Sequence, residues 1–256
     1  MTILTPKLGS WLRDEEDSSL HENFGEQLSG LILEGSSNEC DLRKWCSPIE
    51  NQQVLSSCVG NAVVGAFELL RIRAGLQHED LSRLFVYYNS RAQHGAELRD
   101  DGTYIRMCFK TLQTLGVCKE ENWPYDVNKV LVRPSWKALR EAYCYKIKSF
   151  SRILDEGSGR NTLIENAIRS GHPVVFGMLV DQAFVENTTG VIEFGDSFVS
   201  KGSHAMVIVG FNASTRTFII RNSWGRIWGS DGYAALKYDY LDLCNANDFW
   251  VCTGIN

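Results

Sequence analysis

Long apolar runs are missing from this 256-residue chain. The two longest, Pro173 to Val180 and Ala205 to Phe211, fall well short of the roughly 18 residues that cross a bilayer, so no membrane partner is expected. An excess of basic charge is missing as well. The 26 Lys and Arg stand against 31 Asp and Glu, a formal net charge of -5, which does not attract a phosphate backbone, and no nucleic-acid partner is expected. The N-terminus lacks a basic stretch followed by an apolar one, since Lys7 is followed by Asp14, Glu15, Glu16 and Asp17. That pattern predicts no secretory leader and a cytoplasmic or otherwise intracellular protein, with non-classical export as the other route. No C-x-x-C pair occurs among the cysteines at 40, 46, 58, 108, 118, 144, 244 and 252, so neither a zinc ribbon nor a redox motif is expected, and no metal or cofactor. Repeats and low-complexity stretches are absent, and Gly157 to Gly159 is too short for a phosphate loop.

What remains is an ordinary globular composition, 44% apolar and 11% aromatic, long enough for one or two domains with a sizeable core. Residues 1–38 carry few apolar groups, at Ile3, Leu4, Trp11, Leu12 and Leu31 to Leu33, and read as an arm that docks and not as a domain. Residues 39–256 form the main domain. From Ser57, a candidate cap, Val59, Val63, Phe67 and Leu70 recur at helical spacing up to Gly75, which places Cys58 in the first turn of a helix. Further helical patterns cover 81–93, 103–115 and 135–143. After Lys146 the texture changes to short β-branched and aromatic runs at 145–150, 173–180, 190–194, 205–211, 217–221 and 232–238, with one helix near 163–170. The expected fold class is therefore α+β: a helical lobe over 39–146, a β-rich lobe over 147–256, and a cleft between them.

Two of these strands carry the first chemical signal. The polar stretch Asn212 to Arg216 reads as a hairpin turn, and a turn centred near residue 213 sets His204 opposite Asn222. An amide facing an imidazole can accept its N–H and fix its tautomer, the support that a catalytic base needs. A plain buried pair in a sheet satisfies the same pattern. Cys58 at a helix N-terminus supplies a candidate nucleophile whose thiol pKa is expected to be depressed, although a cysteine among apolar neighbours also reads as a simple buried thiol.

Three segments together go further. Gln52 lies six residues before Cys58 and Ser57 immediately before it; Gly202-Ser203-His204-Ala205-Met206-Val207 follows; then Arg221-Asn222-Ser223-Trp224-Gly225-Arg226-Ile227-Trp228-Gly229. In this order they resemble the signatures of papain-like cysteine peptidases, a resemblance that extends to Trp123-Pro124-Tyr125 and Asp101-Gly102 and covers about residues 41–256. It implies a papain-like fold and an endopeptidase acting on peptide or protein substrates. Cys58 is the implied nucleophile, His204 the acid and base, Asn222 its orienter and Gln52 an oxyanion-hole donor. Gly102, Tyr104, Gly177 and Ala205 are implied to line the second substrate subsite, and Trp224 to cover the His204–Asn222 bond. A cysteine acyltransferase or peptide ligase on the same fold, and a catalytically silent peptide-binding homologue, are the competing readings.

The departures from the pattern also carry expectations. Leu55 and Arg99 occupy positions where secreted relatives carry a disulfide, so no disulfide is expected. Val59 and Asp101 replace a tryptophan and a glycine of the pattern. The arm is shorter than the family's long propeptide. It is a candidate short propeptide, an intramolecular inhibitor that would make the protein a zymogen, with Trp11, Leu12, Leu31, Ile32 and Leu33 as anchors. A tail without contacts is the other reading. Cys40 and Cys46 suggest a metal or disulfide pair by proximity alone, and His21, His78, His94 and His172 have no partner pattern.

Overall fold

The computed structural model describes residues 7–14, 23–25, 37–154, 157–192 and 198–256. The expected anchors Leu31, Ile32 and Leu33, and His21, lie outside them. The first half is helical, with α1 (Cys58–Arg73), α2 (Arg83–Ala92), α3 (Ile105–Thr114) and α4 (Trp136–Ala142). The second half adds α5 (Gly157–Arg169), α6 (Gln182–Val185) and α7 (Tyr238–Leu243) around the strands β2 (Ile147–Ile153), β3 (Val174–Val180), β4 (Val191–Ile192), β5 (Gly202–Asn212), β6 (Thr217–Arg221), β7 (Tyr233–Lys237) and β8 (Asn247–Ile255). The strands form one sheet in the order β2-β8-β3-β5-β6-β7-β4, all pairs antiparallel except β4 with β7. Among the described residues no helix is long and apolar enough to cross a membrane.

Every residue of α1 from Cys58 to Leu70 is buried. A helix apolar on all sides belongs in the interior, and α1 packs against β5, α2 and α3, so its N-terminus points to the junction of the helices and the sheet. Its end is marked by Arg71 and Arg73 in the last turn and by Gly75 at φ +79°, the left-handed position at which glycine stops a helix without a steric penalty.

Two sequence expectations need correction. The short strand β1 (Glu39–Asp41) pairs with β5, Cys40 opposite Phe211, so residues 39–41 belong to the sheet and not to the helical lobe. The β5–β6 hairpin also has a different register. Asn212 pairs with Thr217, a bulge intervenes between Ile208 and Gly210, and the last pair is Val207 with Arg221. The turn is four residues long, so the ladder ends before it reaches His204 and Asn222. Asn222 lies beyond β6, and its side chain alone reaches His204. Strand β8 follows a turn at Asn245 (φ +49°) and is not among the expected strands.

Candidate active site

Segments far apart in sequence meet at the N-terminus of α1. Gln52 is fully buried. Its backbone N–H donates to Ser223 O at 2.8 Å, and Gly225 N–H donates to Glu50 O at 2.9 Å, so residues 50–52 are laced to 223–225. The Gln52 side chain is fixed at both ends: Oε1 accepts from Ser223 Oγ at 2.8 Å and Nε2 donates to Leu55 O at 3.0 Å. Ser57 makes no capping bond to α1; its hydroxyl pairs with Tyr125 OH, which also donates to Gln52 O at 2.8 Å.

Cys58 opens α1 with no exposed surface. Burial pushes its thiol up to about 11, while the Ser10 hydroxyl and the backbone N–H groups of Ala205, Val59 and Cys58 itself pull the other way. This corrects the expectation of a depressed pKa. The helix N-terminus and its donors are present, but desolvation of the charged form outweighs them in the covered cleft.

His204 is the third residue of β5, and its Nε2 lies 2.7 Å from Asn222 Oδ1. The Ser223 backbone N–H also donates to Asn222 Oδ1 at 2.8 Å, which assigns that atom as the oxygen and makes Nε2 the donor. The neutral ring therefore keeps its lone pair on Nδ1, which is buried without a hydrogen bond among the described residues. Burial lowers the His204 pKa to about 4 against the opposing pull of the Asn222 bond. Trp224 stacks on the imidazole, ring centroids 4.4 Å apart at 29°. It is braced edge-on by Phe184 and Trp228, which hold it against the imidazole.

What covers the cleft is the arm itself. Lys7 Nζ donates to Asp100 O at 2.6 Å, Gly9 N–H to Ser203 O at 2.9 Å, and Ser203 Oγ to Trp11 O at 2.9 Å. Thr103 N–H donates to Ser10 O at 3.2 Å and Leu12 N–H to Thr103 O at 3.1 Å, a parallel bridge of Trp11 with Thr103. Asp14 pairs with Arg106 at 2.6 Å. Residues 7–14 thus run as a strap from the sheet to α3, over Cys58, and Ser10 Oγ stands 3.2 Å from the Cys58 sulfur. Gly102 is required here, because a Cβ on it would lie 2.1 Å from Ser10 O. Further on, Asn23 bridges Arg152 and Phe24 is buried. These two described pieces are docked, contrary to the tail reading.

Of the residues expected at the second subsite, Gly102 and Gly177 face the strap and Ala205 gives its N–H to Cys58. Tyr104 instead precedes α3 and meets His94 edge-on at 5.3 Å. Its neighbour Thr103, which the sequence reading missed, offers both backbone groups to the strap. Asp100 was also missed. It accepts from Ser56 N–H at 3.0 Å and Tyr87 OH at 2.7 Å, and its carbonyl from Ser56 Oγ at 2.9 Å, joining the turn before Cys58 to the loop that holds Gly102. All eight cysteines are free. Cys40 Sγ is directed at Ile168 O and Cys46 Sγ at Leu42 O, and among the described residues no group of three His, Cys, Asp or Glu side chains is placed to hold a metal.

A family profile described as "Papain family cysteine protease" matches residues 36–253. The chain belongs to the papain family of cysteine proteases. This family member, a hydrolase, is 36% identical over 214 residues to "Uncharacterized peptidase C1-like protein L477" of Acanthamoeba polyphaga mimivirus, covering 78% of this chain and 68% of the viral one. It is 27% identical over 191 residues to human cathepsin O, covering 74% of this chain and 57% of the other. Among solved structures it is similar to xylellain, a cysteine protease from Xylella fastidiosa, with a TM-score of 0.83 and 28% identity over 98% of both chains. Digestive procathepsin L 3 of Tenebrio molitor shares the fold at a TM-score of 0.68 over 99% of this chain and 75% of the other, with 19% identity.

Proposed function

We propose that the protein is an endopeptidase held closed by its own N-terminal strap. Cys58 is the nucleophile, His204 its acid and base, Asn222 the orienter, and Gln52 a donor to the oxyanion. The observation that carries this reading is the convergence on one cleft of the Cys58 thiol at the tip of α1, the His204–Asn222 bond of 2.7 Å and the strap's Ser10 hydroxyl 3.2 Å from the sulfur.

In the open state, Nδ1 of His204 takes the Cys58 proton and the sulfur attacks the substrate carbonyl. The carbonyl oxygen collects negative charge and is met by the Cys58 N–H and by the Gln52 Nε2 hydrogen that Leu55 O does not use. The imidazolium then protonates the leaving amine, and water, activated by the same ring, releases the acyl group. Asn222 keeps the ring's other nitrogen protonated and oriented, while Trp224 shields that bond from water. The strap is not in a position to be cut, because Ser10 turns its hydroxyl to the sulfur and its carbonyl to Thr103 N–H.

The test uses the full chain with Trp11→Ala, which should hydrolyse a fluorogenic peptide faster than the unaltered chain, with Cys58→Ser in that background abolishing the gain. A synthetic peptide of residues 7–14 should inhibit in trans. No turnover from the Trp11→Ala chain, with Cys58 freely alkylated, would remove the peptidase reading.

A further inference from the structure

Trp11 fills a slot in the sheet half of the cleft, and the slot has a feature that neither the mechanism nor the strap's backbone bonds require. One wall is Gly177 on β3. A Cβ there would fall 2.1 Å from Trp11 Cδ2 and Cε2, so the indole lies against bare backbone and the slot is shaped for a flat ring. The floor is Asp248 at the start of β8, which is 2% exposed. Its backbone sits at φ +63°, a left-handed conformation that aspartate tolerates but that disfavours most side chains.

The two carboxylate oxygens have separate partners. Oδ1 accepts from Trp250 Nε1 at 2.6 Å and faces Arg152 Nη2 at 3.2 Å, both within the sheet half. Oδ2 accepts from Trp11 Nε1 at 3.2 Å, and among the described residues this is its one hydrogen bond. When the strap leaves, a buried acceptor is exposed at the bottom of a flat apolar slot, and any occupant without a donor leaves it unsatisfied.

We propose that Asp248 is a specificity-determining residue: the Trp11 slot selects a flat aromatic side chain carrying an N–H at its far end, a tryptophan-like residue two positions before the bond that is cut. The position relative to that bond rests on the peptidase reading above; the chemistry of the slot does not. Arg152 already balances the Asp248 charge, so a lysine or arginine would bring an excess positive charge into a buried neutral pair. Phenylalanine or leucine would fill the slot and leave Oδ2 without a partner. Trp11 holds the strap down by the same recognition that a substrate would use.

The experiment measures binding and needs no turnover. The full chain with Trp11→Ala and Cys58→Ala is titrated by calorimetry with blocked tetrapeptide amides that differ only at that second position: tryptophan, 3-benzothienylalanine, phenylalanine, leucine or arginine. 3-Benzothienylalanine has the shape of tryptophan with sulfur in place of the N–H. The tryptophan peptide should bind about tenfold or more tightly than its benzothienyl counterpart, the range expected of a hydrogen bond to a charged acceptor. In that same chain Asp248→Asn, which turns an amide donor or a weaker acceptor to the slot, should remove the difference, and Gly177→Ala should weaken both aromatic peptides together. Equal binding of tryptophan and benzothienylalanine, or tighter binding of leucine or arginine, would overturn the assignment even if the Trp11→Ala chain proves an active peptidase. The isostere pair decides the question if Asp248→Asn fails to fold.

Discussion

Ser10 meets Cys58 through a hydroxyl, 3.2 Å from the sulfur, while its carbonyl is bonded to the Thr103 N–H. The strap thereby places a polar side chain where attack would begin and withdraws the bond that could be attacked. It also removes water from the site, so both Cys58 and His204 are held in their neutral forms.

Alkylation should report this closure. In the full chain, iodoacetamide should label the exposed Cys144 well before the buried Cys58. Trp11→Ala loses a buried indole, a change of about 3–5 kcal/mol in a well-packed site, and should raise the Cys58 labelling rate at least tenfold on that scale. Site-resolved mass spectrometry checks both orders.

Closure should also depend on pH in a defined window. The closed state depresses the His204 pKa from 6.5 to about 4, so protonation of His204 favours the open form. The strap's hold is complete above the ordinary value and weakens as pH falls from 6.5 towards 4, by about 1.4 kcal/mol per pH unit. The Cys58 shift from 9.0 to about 11 acts at the other end: the closed state keeps the proton, so raising pH above 9 also favours opening. The ratio of Cys58 labelling rates in the full chain and its Trp11→Ala variant should be lowest between these limits and rise on both sides.

Asn222→Ala should preserve the fold and reduce kcat by about tenfold or more with little change in KM, because it removes the support of an acid–base group and no substrate contact. Steady-state kinetics in the Trp11→Ala background separates the two constants; a rise in KM at constant kcat contradicts the role.

Asp100→Ala leaves the Ser56 N–H and the Tyr87 hydroxyl without their acceptor and should cost roughly 2–4 kcal/mol. For a chain of this size that is a fall in Tm of about 5–15 °C, measurable by scanning calorimetry. Loss of the Lys7 Nζ contact to Asp100 Oδ2, 3.2 Å in the closed form, should also loosen the strap, seen as faster Cys58 labelling at temperatures where the variant is folded.

The family and the candidate site residues were legible because those residues sit in short local patterns. A capped apolar helix places Cys58 at a first turn whatever the rest of the chain does, and the spacing around Asn222 and Trp224 is itself a loop signature. His204 and Asn222 were paired on a hairpin register that is not the one formed. Their bond survives because Asn222 lies beyond the ladder, anchored through Ser223 to Gln52, a constraint that comes from the other half of the molecule. Thr103, Asp100 and Asp248 had no local signal: each acts through a backbone edge or a carboxylate whose partners lie on other elements.

By itself the sequence determined the helical and strand-rich halves, the cysteine at a helix tip and the order of the candidate site segments, because periodicity and short spacing act over a few residues. The tertiary structure decided what state these residues are in. Whether a thiol at a helix N-terminus is charged depends on whether water reaches it, and that depends on Trp11 lying against Gly177 with its N–H on Asp248, contacts between residues more than 150 positions apart that no local pattern encodes. Desolvation outweighs the helix terminus over the few ångströms between Ser10 and Cys58.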